Sequence, residues 1–384
     1  MISFNMNIAI DLTPIPSQKT GVGKYAQVLI GALGKFDDEN SYWIFVKKYH
    51  SQDFDPKKVN FHIILCSNIL ENRLLRILWE QFILPIHLFR KKIKVLHSIH
   101  YTIPLFAPCR RVVTFHDMTF FLFPEKHLLI KKLFFRLIIP FSAKKANRLI
   151  AVSESTKKDI ETILGIDGGK IDVVYETIDK IFRPIEKSFA ISQIKEKYKI
   201  KDKFILYVGV LEPRKNISTL IKAYANLIFG NKINHQLIIV GKKGWGCQEI
   251  FKIVQNLNLS KKVIFTGYLS EKELVFLYNG ADLFVYPSLY EGFGIPPLEA
   301  LACGTPVLSS NISSIPEVVG EAGILVNPHN IEEISESMYR VLTDEKLRNV
   351  LKEKGIKRAK EFSEEKLAKK TIEVYKKVTR YTTS

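Results

Sequence analysis

Two glutamates, Glu291 and Glu299, flank a turn rich in glycine and proline in the segment YPSLYEGFGIPPLEALACGTPV (286–307). A carboxylate accepts both hydrogen bonds of a vicinal diol, so the pair suits ribose and hexose hydroxyls. Negative charge beside a sugar also stabilises oxocarbenium character during its transfer. The segment leaves an apolar run, turns through Gly292 and Gly294, and opens a helix at Pro296 or Pro297, where first-turn amides have no intrahelical partner and proline is tolerated. The amides around Phe293, Gly294 and Ile295 therefore form a helix start suited to an anion. Without the flanking glycines and prolines, the same spacing would read as a helix cap followed by a solvated glutamate.

A second strand–turn–helix pattern, YVGVLEPRKNISTLIKAY (207–224), places Arg214 and Lys215 at a helix start. Cations there oppose the positive end of the helix dipole unless an anion joins them, and a departing diphosphate is such an anion. A third, HQLIIVGKKGWGCQEI (235–250), carries Lys242 in a glycine turn that can line the same pocket. In TPIPSQKTGVGKYAQVL (13–29), Gly21 and Gly23 formally fit the dinucleotide pattern. The prolines after the first strand and the lack of a strand-terminal acid at the required distance argue against that reading. The glycines are expected instead in a loop that lets backbone approach ligand. TFHDMTF (114–120) puts His116 at a strand's carboxyl end.

These turns need a scaffold. Apolar runs of strand length alternate with amphipathic helical patterns throughout, which predicts α/β architecture with parallel sheets and helices on both faces. The strands are expected at 7–11, 42–46, 94–98, 111–117 and 148–153, then at 203–209, 236–241, 262–267, 281–288, 305–310 and 323–326. The chain is long enough for two domains. The boundary is placed at 185/186, giving domains 1–185 and 186–362, with the amphipathic helix in 363–384 packing back on the first. Two facing Rossmann-like domains bind ligand at the carboxyl ends of their strands, so the site is expected in an interdomain cleft.

The composition is globular, with 46% hydrophobic and 25% charged residues, which excludes a disordered chain. Cys66, Cys109, Cys247 and Cys303 are too scattered for a zinc site or a disulfide framework, and no metal is expected. The N-terminus lacks the features of a signal peptide, so a cytoplasmic location is expected. The net charge is +18, and 13 Lys and Arg against 2 Asp and Glu fall between Ile86 and Ile150. Within that stretch KHLLIKKLFFRLIIPFSAKKANR (126–148) interleaves apolar residues with Lys131, Lys132, Arg136, Lys144 and Lys145. Such a surface suits the anionic face of a bilayer, or else is a core-packed helix with solvated lysines. No nucleic-acid-binding motif accompanies the charge.

Taken in order, the GVGKY turn, HSIHYTIP (97–104), TFHDMTF, AVSESTKKDI (151–160), YVGVLEPRKN, VGKKGW, GYLSEKEL (267–274), the glutamate segment and IPEVVGEAGILVNP (315–328) resemble the family-4 retaining glycosyltransferases of GT-B fold. The resemblance implies a nucleotide-diphosphate sugar as substrate, with no cofactor and no bound metal. It implies that residues 186–362 bind the donor and that the first domain lies on the acceptor side. Glu291 would contact the transferred sugar, Glu299 the donor ribose, and Lys215 with Arg214 the diphosphate. Phe293 and Gly294 amides would bind hydroxyls or phosphate, His116 the sugar, and Gly21 to Gly23 phosphate or acceptor. Gly267, Tyr268 and Leu269 would meet the base. The LEPRKN and GKKGW forms resemble bacterial mannosyltransferases, which points to GDP-mannose and to a lipid-linked or oligosaccharide acceptor in cell-surface polysaccharide assembly, at the inner face of the plasma membrane. A nucleotide-sugar epimerase or phosphorylase of the same fold is the alternative. Two departures stand out: Val210 where many relatives have arginine, and Glu176-Thr177 where Asn-Gly is usual.

Overall fold

The structure, a computed structural model, describes residues 5–17, 21–123 and 129–380. The chain divides into two compact units, residues 1–177 with 363–384 and residues 178–362.

The first unit is built on seven parallel strands: β1 Asn7–Asp11, β2 Ser41–Lys47, β3 Phe61–Cys66, β4 Val95–Ser98, β5 Arg110–Phe115, β6 Arg148–Ala151 and β7 Ile171–Val173. Their spatial order is β3-β2-β1-β4-β5-β6-β7. The direction of winding reverses between β1 and β4, which pair in register from Ile8 with Val95 to Asp11 with Ser98. Helix Gly21–Phe36 follows β1, and its buried face joins the core through Tyr25, Leu29 and Leu33.

Helix Glu364–Arg380 completes that core. Its residues Leu367, Ala368, Val374, Tyr375 and Val378 follow helical spacing and are buried against Ile8, Tyr25 and Ile44 of the first unit. Tyr375 and Thr114 flank the buried His97, their hydroxyls 2.7 and 2.8 Å from its two ring nitrogens. Burial depresses the His97 imidazole to about 3, so it stays neutral and bridges the two hydroxyls.

The second unit carries six parallel strands: β8 Phe204–Val208, β9 Gln236–Val240, β10 Val263–Gly267, β11 Leu283–Tyr286, β12 Val307–Ser310 and β13 Ile324–Val326, in the order β10-β9-β8-β11-β12-β13. Every residue of β8, β9, β11 and β12 is buried, as expected of strands covered by helices on both faces. Here the winding reverses between β8 and β11, so their carboxyl-end loops diverge and leave a crevice between them.

Candidate functional site

The loops after β8 and β11 meet at that reversal. The β8 loop ends in a short 3-10 turn, Pro213–Lys215, closed by Asn216 in the left-handed region at φ 56°. Asparagine tolerates this conformation, and its amide donates to the carbonyls of Pro287 at 3.1 Å and Pro328 at 2.7 Å. The turn is thereby tied to the β11 loop, and Lys215 is directed at Glu291.

Glu291 is buried and saturated with donors. Its Oε1 accepts from Lys215 Nζ at 2.6 Å, Tyr286 OH at 2.8 Å and Ser288 Oγ at 2.6 Å. Its Oε2 lies 3.2 Å from an Arg214 guanidinium nitrogen. Burial alone would push the carboxyl up. The charges of Lys215 and Arg214, with the hydrogen bonds from Lys215 and Ser288, outweigh that effect and hold it at about 2. The Glu291 backbone is held as firmly: its N–H donates to Ser313 Oγ at 3.1 Å, and its carbonyl accepts from Ser313 and Ser314 at 2.6 and 2.9 Å.

Arg214 braces the same loop. Its Nε and Nη2 donate to Glu212 Oε1 at 3.1 and 2.8 Å, and its Nη1 donates to the Tyr290 carbonyl. Val210 stands half-exposed in the β8 loop. Arg214 reaches the glutamate from a position further along the same loop.

Beyond Glu291 the chain turns through Gly294, the N-cap of helix Ile295–Cys303, at φ 116°. Phe293 is buried edge-on against Phe362, with ring centroids 5.7 Å apart. Pro296 and Pro297 contribute no N–H, so the donors of the helix start come from Ile295 and the residues before it. Glu299 lies one turn into this helix, buried, where its Oε2 accepts from the Tyr278 hydroxyl at 2.8 Å.

The base-side candidates also come together. Gly267 closes β10 at φ 75° and accepts from the Gly241 N–H at 2.9 Å. Tyr268 is exposed with Lys242 Nζ 4.6 Å from its ring centroid, and Leu269 is buried. Gly241, at φ 151°, allows the loops after β8 and β9 to touch: a Cβ there would lie 1.8 Å from the Gly209 carbonyl oxygen. Gly241→Ala is therefore expected to cost roughly 3 kcal/mol or more, because backbone rather than a flexible side chain must yield. A melting temperature within a degree or two of the parent would contradict this.

In the first unit, Gly21 and Gly23 occupy the first turn of helix Gly21–Phe36 and not a loop. The expected loop at these two glycines is therefore corrected to helix. His116 follows β5. Its Nε2 is 3.0 Å from the Ile99 carbonyl, which can only accept, and its Nδ1 is 2.9 Å from Glu176 Oε1. Glu176, read in the sequence only as a departure, is thus the partner that orients His116. A hydroxyl approaching His116 must exchange with one of these two acceptors.

Of the sequence candidates, the structure joins Glu291, Lys215 and Arg214 in one network, and Lys242 with Tyr268 in another. Tyr286, Ser288, Ser313 and Tyr278 are site residues that the sequence reading does not single out. Tyr286 and Ser288 lie inside the quoted segment, and their hydroxyl chemistry was the available signal. Among the described residues, no group of three or more His, Cys, Asp or Glu is placed to hold a metal ion.

Residues 190–358 match the family model "Glycosyl transferases group 1", and residues 20–180 match "Glycosyltransferase Family 4". The chain is 30% identical over 387 residues to O-antigen chain mannosyltransferase B of Escherichia coli, covering 97% of this chain and 100% of the relative. It is 30% identical to O-antigen chain mannosyltransferase RfbU of Salmonella typhimurium, covering 86% and 92% of the two. In fold it resembles sucrose-phosphate synthase of Thermosynechococcus elongatus, with a TM-score of 0.77 at 20% identity over 98% of this chain and 100% of that one. The chain, with two Rossmann-like units of the GT-B kind, belongs to the group 1, family 4 glycosyltransferases and is a glycosyltransferase.

Proposed function

We propose that the enzyme transfers a hexose, mannose from GDP-mannose, to a lipid-linked or polysaccharide acceptor in cell-surface glycan synthesis, with retention and without a metal ion. The observation that carries this reading is the buried Glu291 carboxylate held between Lys215 and Arg214 at the winding reversal of the second unit. A carboxylate kept ionised, with one oxygen already accepting three hydrogen bonds, is a poor nucleophile and a good fixed negative charge. It suits stabilisation of the sugar's developing positive charge while the acceptor hydroxyl attacks from the face the diphosphate leaves. The bond from C1 to the diphosphate oxygen breaks, a bond from C1 to the acceptor oxygen forms, and the hydroxyl proton leaves with the phosphate or solvent.

Lys215 and Arg214 supply cationic charge for the departing diphosphate, and Glu299 holds the donor ribose. His116, oriented by Glu176, is assigned to the sugar. Phe293, Gly294 and Ile295 offer backbone amides, Gly267 to Leu269 meet the base, Lys242 lines the phosphate pocket, and the helix start at Gly21 to Gly23 borders phosphate or acceptor. Mannose rests on the names of the two O-antigen relatives. The proposed location is cytoplasmic, in peripheral contact with the inner face of the plasma membrane.

A thermal-shift screen of GDP-, UDP- and dTDP-sugars tests the donor. A ligand at a hundred times its Kd stabilises by about 2.7 kcal/mol, so GDP-mannose should raise the melting temperature more than the others. A larger shift with a UDP-sugar would overturn the donor assignment. Nucleoside diphosphate should be released only with acceptor present, and equally in EDTA. Release without acceptor, or its loss in EDTA, would overturn transfer or metal independence respectively. A glycosyl ester trapped on Glu291 would overturn the front-face mechanism.

A further inference from the structure

The sequence placed bilayer contact on the basic segment 126–148. Residues 126–128 lie outside the described residues, as do the side chains of Lys131 and Lys132. Further along helix Leu129–Lys145, the apolar residues Phe135, Ile139 and Ala143 are buried in the first unit's core. One side of that part of the helix faces the protein, and its exposed side offers, among the described residues, a single large apolar residue, Leu137, beside Arg136, Lys144 and Lys145.

A different element presents apolar side chains outward. Residues Arg73–Leu78 and Leu84–Arg90 are α-helical and are joined by one π-helical turn, Trp79–Ile83, into a continuous helix. Arg76, Glu80, Leu84 and Leu88, spaced by four, are buried against the unit. On the opposite side Leu74, Leu78, Phe82, Ile86 and Phe89 are 71, 53, 67, 48 and 74% exposed. Gln81 ties the neighbouring loop to this helix: it donates to the Ile103 carbonyl at 3.1 Å and accepts from the Leu105 N–H at 2.8 Å. Phe106, 82% exposed, follows directly. A stripe of five exposed apolar side chains opposite a buried side is built to be covered.

Charge decides what covers the outer side. Between Asn72 and His116 the chain has eight Lys and Arg and one acid, Glu80. That acid is buried and paired with Arg76. The exposed apolar stripe is therefore accompanied along the chain by an excess of exposed cations, including Arg73, Arg90 and Lys92. A second copy of the chain would bring like charge to this face; an anionic lipid surface brings the opposite charge and an apolar interior. Among the described residues no helix is long and apolar enough to cross a membrane. A face that lies on the bilayer fits that finding.

We propose that the outer face of Arg73–Arg90, with Leu105 and Phe106, docks on an anionic bilayer. This rests on the reading of a lipid-linked acceptor and a peripheral membrane location. The inner side of the same helix adds a reason: burial, and with it the like charge of Asp11 at the end of β1, push the Glu80 carboxyl up, so Glu80 lies near that strand's carboxyl end. One helix thus has its outer side on the lipid and its inner side at the carboxyl end of the first sheet, where open α/β sheets bind ligands.

Cosedimentation of the full chain with phosphatidylcholine vesicles, with and without phosphatidylglycerol, tests this. The parent should bind the anionic vesicles at low salt. F82S/F89S and, separately, F106S should weaken binding by about tenfold or more, with unchanged melting temperature. K91E/K92E should weaken it without touching the apolar stripe, whereas K144A/K145A should bind like the parent. If K144A/K145A loses binding and the stripe variants keep it, the membrane reading stands and this surface is wrong. A parent that binds no vesicle overturns both. If the stripe variants only convert a dimer to a monomer in sedimentation velocity, the face covers a second copy and the proposal fails.

Discussion

Glu291→Gln is expected to lower the rate of transfer by about 100-fold or more, the scale seen when a preorganised electrostatic group is removed. Affinity for the nucleoside diphosphate should change far less, because in the proposed role the lost charge acts on the sugar in the transition state. The structure adds an effect on stability. In the parent, one carboxylate oxygen accepts from Lys215, Tyr286 and Ser288, and the other faces Arg214. A glutamine keeps one acceptor oxygen but turns an NH2 group toward donors, and leaves buried cations without their counter-charge. Breaking such a pair on one side costs about 3–5 kcal/mol.

The double variant E291Q/K215M removes the orphaned ammonium and should recover part of the stability while remaining inactive. That separates the role in folding from the role in transfer. The acid limb offers an independent check. The Glu291 carboxyl is held at about 2, below its ordinary 4.5, so its stabilisation is fully present above pH 4.5 and is lost as pH falls toward 2. In E291Q that contribution to the acid transition should disappear. A variant transferring sugar at a near-parental rate would sink the assignment.

The second large effect is expected at Glu299. Glu299→Ala should weaken nucleoside diphosphate binding by about 10- to 100-fold, the cost of losing charge-assisted hydrogen bonds to a ribose diol. The substitution also removes the acceptor of the buried Tyr278 hydroxyl, at a cost of about 1–3 kcal/mol. Tyr278→Phe separates the two consequences: it keeps the carboxylate, so it should reproduce much of the stability loss and little of the affinity loss. Calorimetric titration with GDP distinguishes the cases. Parental affinity in E299A would remove Glu299 from the donor site, and equal affinity losses in E299A and Y278F would make its role purely structural.

Much of the fold is legible because the strands of an open parallel sheet are buried on both faces and read as continuous apolar runs. FILYV, QLIIV and LFVY, all wholly buried, carry that signal without ambiguity. The two strands that escaped the reading, β3 Phe61–Cys66 and β7 Ile171–Val173, are the outermost of the first sheet. Both are only partly buried, and β7 is three residues long. Edge strands bury less, so their sequences carry weaker patterns. The helix Arg73–Arg90 escaped for a different reason: its outer side is apolar while its inner side carries the buried pair Arg76 and Glu80, so the usual pattern of apolar inside and polar outside is missing.

The sequence by itself singled out Glu291, Glu299, Lys215 and Arg214 as candidates for chemistry, because a carboxylate pair around a turn of glycine and proline and cations at a helix start call for a ligand. It determined the family through many ordered motifs. Only the tertiary structure decided what those residues hold. Lys215 and Glu291 are 76 positions apart, and their contact at 2.6 Å exists because the winding reverses between β8 and β11 and brings two loops to one point. Glu176 became the partner of His116 through a separation of 60 residues, and Tyr375 reached His97 across 278. Local patterns follow from backbone periodicity over a few residues. Partners that distant are set by sheet order and by the need to satisfy every buried charge and hydroxyl at once.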